Sequence, residues 1–376
     1  MRVLLISHTY FPSHYRGKLR WLATEGGVAL TLAALPRMRK PSGPVLTFEE
    51  VAEPFPVRLL RPWAFSDHNV LRLYSPWQMA RLLHEAQPAL VHVEAEPHSL
   101  LLALLAALKP HFGYRLVGFT WENLCRRGRG PLRWSEAWAL RAVDGMIAGN
   151  AEAAEVLRWR GYRGPIAVIP QVGLDPGHFQ REVPSPSSLA GLGPGARIGF
   201  IGRLVPEKGV LDLLEAFIPL AEGAHLVLVG TGPLQETLQR RAEEAGIAER
   251  VHLVGFVPYS EVPAYLRGLD VLVLPSRTMP WWKEQFGHVL AEAMLAGVPV
   301  VGSASGAIPE VIGEAGLVFP EGDVAALRER LAYLLAQPKE RERLAQAGKQ
   351  RAGQRFTDQA IGRQTLQFYR QIMEAR

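Results

Sequence analysis

The 376-residue sequence contains a single cysteine, Cys125, so it can form neither an intrachain disulfide nor a four-cysteine zinc site. That usage points to the cytoplasm. Long hydrophobic runs are also scarce. The longest uncharged apolar stretch, Ser99–Leu108, has ten residues, against the roughly 20 that a membrane span needs, and reads as a buried helix. The chain opens on MRVLLIS and turns polar at once, with no long apolar core or small-residue cleavage site, so no signal peptide is expected. Metal and nucleotide signatures are missing too. No two aspartates are spaced Asp-x-Asp, and there is no Walker P-loop. GTGPLQ (Gly230–Gln235) begins like a dinucleotide fingerprint but has Gln235 at its third position, and GLGPGA (Gly191–Ala196) precedes a strand instead of following one. Neither has the context of a Rossmann cofactor site. No metal, cofactor or nucleic-acid partner is expected.

What is present has a regular rhythm. The apolar fraction of 48% is that of a globular protein, and the length fits two α/β domains of roughly 170–200 residues. Nearly continuous apolar runs mark strands at Val3–Ile6, Val28–Ala33, Val57–Leu60, Leu90–Val93, Leu116–Phe119, Met146–Ala148 and Ile166–Ile169. Helix-like segments such as Arg72–Glu85 and Ser135–Val143 lie between them. A second set follows at Ile198–Ile201, Leu226–Val229, Val251–Val254, Val271–Leu274, Val298–Val301 and Leu317–Phe319. Such runs suit parallel strands covered on both faces. The alternation predicts two doubly wound, Rossmann-like α/β domains facing a cleft, with ligands at the carboxyl ends of the strands. A segment rich in Pro, Gly and Ser after Val168–Phe179 places the boundary near Val172–Asp175. The last segment, after Arg355, has Ile361, Leu366, Phe368 and Ile372 at helical spacing and reads as a terminal helix returning to the first domain.

Charge is uneven. Residues 1–175 carry 21 Lys/Arg and 14 Asp/Glu, a net of +7, and residues 176–376 carry 21 and 22, a net of −1. A basic first half, with the loop Arg126, Arg127 and Arg129, favours an anionic acceptor or an anionic membrane face. General solubility is the other reading of the same excess.

Two clusters carry chemistry. In FIGRLVPEKGVLDLLEAF (Phe200–Phe217) a strand ends at Gly202, Arg203 and Lys208 follow on a loop, and a helix starts near Gly209 with Val210, Leu213, Leu214 and Phe217 as its buried stripe. Two cations at a strand end suit a diphosphate, although such a pair can equally be a solvated loop. In EQFGHVLAEAMLAGVPVVGSASGAIPEVIGEAGLVF (Glu284–Phe319), Glu284 precedes a glycine turn and Glu292 follows eight positions later, about two turns into a helix. The amides of Phe286, Gly287, His288 and Val289 lie near that helix's N-terminus, open to a phosphate or sugar oxygen. A carboxylate such as Glu284 can accept from sugar hydroxyls, and Glu292 can take both hydroxyls of a ribose. Trp281 and Trp282 adjoin Glu284 and could stack on a sugar face or pack the loop.

These stretches, with LVLVGTGPL, VHLVGFVP, VLVLPS and GLVFPEGD in the same order, resemble the family 4 retaining glycosyltransferases of the GT-B fold. The resemblance covers essentially the whole chain and is strongest over Arg197–Asp323. It implies a nucleotide-diphosphate-sugar donor, such as a UDP- or GDP-sugar, with Arg203 and Lys208 on the diphosphate, Glu284 on the sugar, Glu292 on the ribose and the main chain around Gly255–Val257 near the base. The first domain (1–172, with the helix 356–376) would take the acceptor and the second (173–355) the donor. Pro12, Arg16 and Gly17 fall where the family has a glycine-bearing loop facing the phosphates. Family members usually carry a histidine after a mid-domain strand. GFTWENLCRRGRG (Gly118–Gly130) has none, so Trp121, Glu122 or Asn123 takes its place, and Glu122 is the expected assisting group. His8, His14, His92 and His98 read as structural or exposed.

The expected activity is metal-independent hexosyl transfer with retention to a glycan, glycolipid or other hydroxyl acceptor, in cell-envelope polysaccharide or glycolipid synthesis. The enzyme would be cytoplasmic, with peripheral contact at the inner membrane face. The alternatives are a nucleotide-sugar epimerase or hydrolase on the same scaffold, or a catalytically silent sugar-nucleotide-binding subunit.

Overall fold

The structure is a computed structural model that describes residues 1–39, 45–63, 72–126, 131–181, 184 and 186–375. The strands are β1 (Arg2–Ser7), β2 (Ala29–Ala34), β3 (Arg37–Arg39), β4 (Val45–Thr47), β5 (Val57–Leu59), β6 (Leu90–Glu94), β7 (Arg115–Thr120), β8 (Gly145–Ala148), β9 (Ile166–Val168), β10 (Ala196–Ile201), β11 (Ala224–Val229), β12 (Val251–Gly255), β13 (Val271–Leu274), β14 (Val300–Ser303) and β15 (Leu317–Phe319). The helices are α1 (Gly17–Thr24), α2 (Pro76–Ala86), α3 (Leu100–Phe112), α4 (Pro131–Ala142), α5 (Ala151–Trp159), α6 (Pro176–Gln180), α7 (Ser187–Ala190), α8 (Val210–Phe217), α9 (Gln235–Glu244), α10 (Val262–Arg267), α11 (His288–Leu295), α12 (Ile308–Ile312), α13 (Val324–Ala336), α14 (Pro338–Arg355) and α15 (Asp358–Glu374). They divide between two compact units, Met1–Leu174 with Asp358–Arg376, and Asp175–Thr357.

The first unit is built on a seven-stranded parallel sheet in the order β5-β2-β1-β6-β7-β8-β9. Val3 of β1 lies between Leu30 and Leu90, which puts a continuous apolar run at the sheet's centre. Val3, Leu4, Leu5 and Ile6 are all buried, as strands covered on both faces must be. The apolar stretch at Ser99 is the buried helix α3, whose N-cap Ser99 accepts from the Leu102 amide. The last helix, α15, belongs to this unit and packs on α1, with Ile361, Leu366, Phe368 and Ile372 buried. Among the described residues no helix is long and apolar enough to cross a membrane.

The second unit carries a six-stranded parallel sheet, β12-β11-β10-β13-β14-β15. Both sheets reverse their strand order beside their first strand, between β1 and β6 in one and between β10 and β13 in the other. Such a reversal splays the following loops apart and opens a crevice at the carboxyl ends.

Four local expectations shift. The helix expected from Arg72 starts at Pro76, since a proline at the first helical position fixes φ and has no amide to satisfy. The helix expected from Ser135 already begins at Pro131 for the same reason. The strand expected at Val298 begins at Val300, because Gly297, at φ 78°, still belongs to the turn after α11. The antiparallel ribbon β3–β4 was not expected, as each strand has only three residues. Of the basic loop, Arg126 is exposed, whereas Arg127 and Arg129 lie outside the described residues.

His92 sits in the middle of β6, fully buried, with Nδ1 2.7 Å from the Tyr369 hydroxyl of α15. Burial pulls its pKa from 6.5 to about 4, the nearby Glu94 opposing this. The folded chain therefore refuses a proton that the unfolded chain accepts below pH 6.5. The stabilising contribution is complete above that value and is lost as pH falls through about 4. Melting temperatures measured from pH 7.5 down to about 4 should fall progressively, and His92→Gln should flatten part of that fall. An unchanged slope in the variant would remove His92 from the account.

Candidate functional site

The crevice of the second unit is built from two loops. After β10 the chain leaves through Gly202. It is pinned by the buried Leu204, whose amide donates to the Thr231 carbonyl at 2.9 Å, and it makes one tight turn over Pro206–Lys208. After β13 it runs through Ser276 and Arg277 to Glu284. Arg277 ties the loops together, gripping Asp212 of α8 through two hydrogen bonds of 2.5 and 2.6 Å. Its amide also donates to the Glu207 carbonyl at 2.9 Å.

This framework brings Lys208 and Glu284 face to face. Glu284 is buried, and its Oε2 accepts from Lys208 Nζ at 2.6 Å and from Ser276 Oγ at 2.7 Å. The ammonium also lies 4.9 Å from the Trp282 ring centroid. Trp282 thus packs the loop against the cation, while Trp281 stays 67% exposed. Arg203 is exposed and, among the described residues, meets only the neighbouring Glu207, at 3.3 Å. A pair of that kind contributes little and leaves the guanidinium able to swing.

Glu284 is held from behind by its own carbonyl, which accepts from the Ala307 amide at 3.0 Å. This approach requires Gly306, which has φ 54° and where a Cβ would stand 2.0 Å from that carbonyl oxygen.

Beyond Glu284, α11 begins at His288 with Gly287 as its N-cap and no side-chain cap. The leading amides of a helix have no intrahelical acceptor, so those of His288 and Val289 open this end of the helix with the positive end of its dipole behind them. Phe286 is buried against Phe356, with ring centroids 5.2 Å apart, and fixes the helix entry. Burial pulls the His288 pKa to about 4, the Glu284 charge opposing and Lys208 assisting, so at neutral pH it is an uncharged hydrogen-bonding ring. Glu292, one turn on along the same helix face, is pushed up to about 7 by desolvation. Its carboxylate accepts no hydrogen bond and meets no cation among the described residues. Val257 is half-buried on the loop after β12, where the Gly255 carbonyl accepts from the Gly230 amide at 2.7 Å.

In the first unit the residues separate differently. Arg16 is wholly buried. It donates to the carbonyls of Tyr10, Phe11 and Glu49, and pairs with Glu53 at 3.1 Å. Its donors are taken up by the fold, which corrects its placement on a phosphate-facing loop. Gly17 opens α1, and a Cβ there would stand 1.9 Å from the Asp358 carboxylate, so its small size serves the approach of α15. Glu122 accepts from the Leu124 amide at 3.2 Å, closing a local turn.

A cavity of about 110 Å³ opens beside β1, β6 and β7, lined by His8, Glu96, Phe119, Trp121 and Gln171 among others. At about 30 Å³ of liquid per molecule it holds a few waters. Trp121 borders this cavity, its indole N–H donating to Gln171 Oε1 at 2.9 Å. Glu96 accepts from the Thr120 hydroxyl and the Trp121 amide, and burial outweighs these bonds to raise its pKa. Glu94 also lines the cavity and accepts from Tyr10 at 2.8 Å, Lys18 at 2.9 Å and Gln171 at 3.0 Å. Glu94, Glu96, Lys18 and Gln171 escaped the sequence reading, although VEAEP just after a β run was the available signal.

Comparison with known proteins agrees with this division. Residues 193–351 match the model of the glycosyl transferases group 1, and residues 15–171 match a glycosyl transferase 4-like domain. The second unit thus carries a group 1 glycosyl transferase domain and the first a glycosyl transferase 4-like domain. A 2-deoxystreptamine glucosyltransferase of Streptomyces kanamyceticus is 32% identical over 215 residues, 54% of either chain. A GDP-mannose-dependent alpha-(1-6)-phosphatidylinositol monomannoside mannosyltransferase of Mycolicibacterium smegmatis is 35% identical over 201 residues, 50% of this chain and 52% of the relative. The chain thus spans about half the length of these curated relatives. Among solved structures, a sucrose-phosphate synthase from Thermosynechococcus elongatus superposes with a TM-score of 0.72 at 20% identity, covering 100% of this chain and 99% of the other. Anabaena HepE in complex with UDP gives 0.71 at 19% identity, covering 99% and 100%. At such identities the likeness speaks for the fold, and it bears out the GT-B class with two Rossmann-like domains.

Two outcomes follow from this geometry. Lys208→Met should lower stability by about 3 kcal/mol, because it leaves the Glu284 charge buried and unpaired. The double variant Lys208→Met/Glu284→Gln should recover most of that loss. Denaturant midpoints of both proteins test it, and equal stability would mean that the charges are not coupled. Gly306→Ala should cost about 1–3 kcal/mol through overpacking against the Glu284 carbonyl, read as a lowered melting temperature.

Proposed function

We propose that this protein is a retaining glycosyltransferase that moves a hexosyl group from a nucleotide-diphosphate sugar to a hydroxyl of a glycan, glycolipid or other acceptor in cell-envelope polysaccharide or glycolipid synthesis. The observation that carries the reading is the Lys208–Glu284–Ser276 cluster beside the uncapped start of α11, at the strand-order reversal of the second unit. In this reading Lys208 and Arg203 take the diphosphate, assisted by the His288 and Val289 amides. Glu284 takes sugar hydroxyls, and Val257 lies near the base. Glu292 accepts from the ribose hydroxyls, which supply the partners its carboxylate lacks. The dependence of one relative on GDP-mannose and the HepE complex with UDP-glucose support the nucleotide-sugar class without choosing the base.

Chemically, the bond from the anomeric carbon to the phosphate oxygen breaks, and a bond to the acceptor oxygen forms on the same face. The acceptor proton passes to the departing phosphate. Negative charge grows on that phosphate, and the cations and helix amides are placed to stabilise it, each well-oriented donor contributing about 3 kcal/mol. The first unit would receive the acceptor. There Glu122 would hold a donor-sugar hydroxyl or support positive charge at the anomeric carbon, and Gly17 would face the donor phosphates. The protein would act in the cytoplasm, peripheral to the membrane.

The lack of a histidine in Gly118–Gly130 favours one second reading, a silent sugar-nucleotide-binding subunit. A panel of UDP- and GDP-sugars read by thermal shift and by nucleoside diphosphate release separates the two. Transfer predicts stabilisation by one donor and release that rises with acceptor, whereas stabilisation without release marks the silent subunit. Turnover should persist in chelator; complete loss restored by manganese or magnesium would sink the metal-independent version. Glu122→Gln should lower turnover by about 100-fold at an unchanged melting temperature.

A further inference from the structure

Helix α4 presents two different faces. Glu136, Ala139 and Leu140 turn inward and are buried, whereas Arg133, Trp134, Ala137, Trp138 and Arg141 are exposed. These positions fall at i, i+1, i+4, i+5 and i+8, a single stripe along the helix. Trp134 is 79% exposed and Trp138 45%, and an arginine stands at each end of the pair. The helix's one carboxylate, Glu136, is withdrawn from this surface and held by Arg160 at 2.6 Å. The outward stripe therefore carries indole and guanidinium groups with no opposing charge of its own.

Beside it runs a groove of about 480 Å³ between α4 and the turn after α5. Arg141, Arg160 and Arg163 line it, with Leu140, Val143 and Tyr162. Arg163 is exposed. Arg160 gives one terminal nitrogen to Glu136 and the other to the Arg126 carbonyl at 3.1 Å. Its buried Nε has no partner among the described residues.

Water is a poor environment for two neighbouring exposed indoles, and the headgroup layer of a bilayer is a favourable one, where the ring is buried and its N–H still finds an acceptor. Flanking arginines add attraction to an anionic leaflet. A second copy of the chain fits less well. The helix is only about 18 Å long, and its stripe offers far less than the roughly 800 Å² per partner of a stable dimer.

We propose that the outward face of α4 docks on an anionic lipid bilayer, with a headgroup phosphate seated in the adjoining Arg141–Arg160–Arg163 groove. This names the surface that would serve the peripheral location proposed above. It rests on that reading only for its purpose, since the observations come from residues outside the sugar-nucleotide site.

The test is co-sedimentation of the full chain with phosphatidylcholine vesicles, with and without phosphatidylglycerol, at low and high salt. The wild type should bind the anionic vesicles and lose binding as salt rises. Arg133→Ser/Arg141→Ser should weaken binding roughly 25-fold, two factors of about five for two surface cations. Trp134→Ala/Trp138→Ala should weaken it by about tenfold or more. Both variants should keep the wild-type melting temperature and its shift with nucleotide sugar, which confirms folding independently of lipid. Three results would overturn the proposal: no wild-type binding, undiminished binding by both variants, or a wild-type dimer that the same substitutions dissolve. The assay contains no donor, so its failure leaves sugar transfer standing, and failure of the donor panel leaves the docking face standing.

Discussion

The buried contact between Lys208 and Glu284 organises the second unit's binding surface. It joins loops that leave two adjacent strands, β10 and β13, at the point where the sheet changes direction. Removing two charges from water is unfavourable, and the pair persists because both ends are further engaged, Glu284 by Ser276 and Lys208 by the face of Trp282. The consequence is preorganisation. An ammonium and a carboxylate stand fixed before any ligand arrives, and a hydroxyl or phosphate oxygen joins an existing network instead of assembling one.

Around that contact, burial sets the charge of each neighbour. His288 stays neutral and Glu292 is poised near neutrality. Charge is thereby concentrated at Lys208 and the exposed Arg203, where a diphosphate would need it. The first unit places its own ionic network, Lys18–Glu94, in the same topological position. There the charges are wholly internal. Gln171 passes the network's order outward to Trp121, so that an aromatic wall and the Glu96 carboxylate border the small cavity. The two units share a chain path and differ in what they expose at its crevice.

The outward stripe of α4 belongs to neither crevice. Its arginines and tryptophans contribute nothing visible to the core, while the helix's single acid is turned inward to a buried arginine. That arrangement separates a face for solvent or membrane from a face for folding within twelve residues.

Much of this was legible in the sequence. Continuous apolar runs such as Val3–Ile6 and Val271–Leu274 could only be strands covered on both sides, and their alternation with helical periods fixed two doubly wound sheets. Lys208, Glu284 and Glu292 were found because strand ends, glycine turns and helix starts have local signatures. The partners of those residues were not legible. That Glu284 meets Lys208, 76 positions away, that Arg16 is consumed inside the fold, and that Glu96 instead of Glu122 lines the first cavity are contacts between distant segments. Sequence periodicity reports which face of an element is buried. Which charge it meets there depends on how the loops of separate strands converge, and only the tertiary structure decides that.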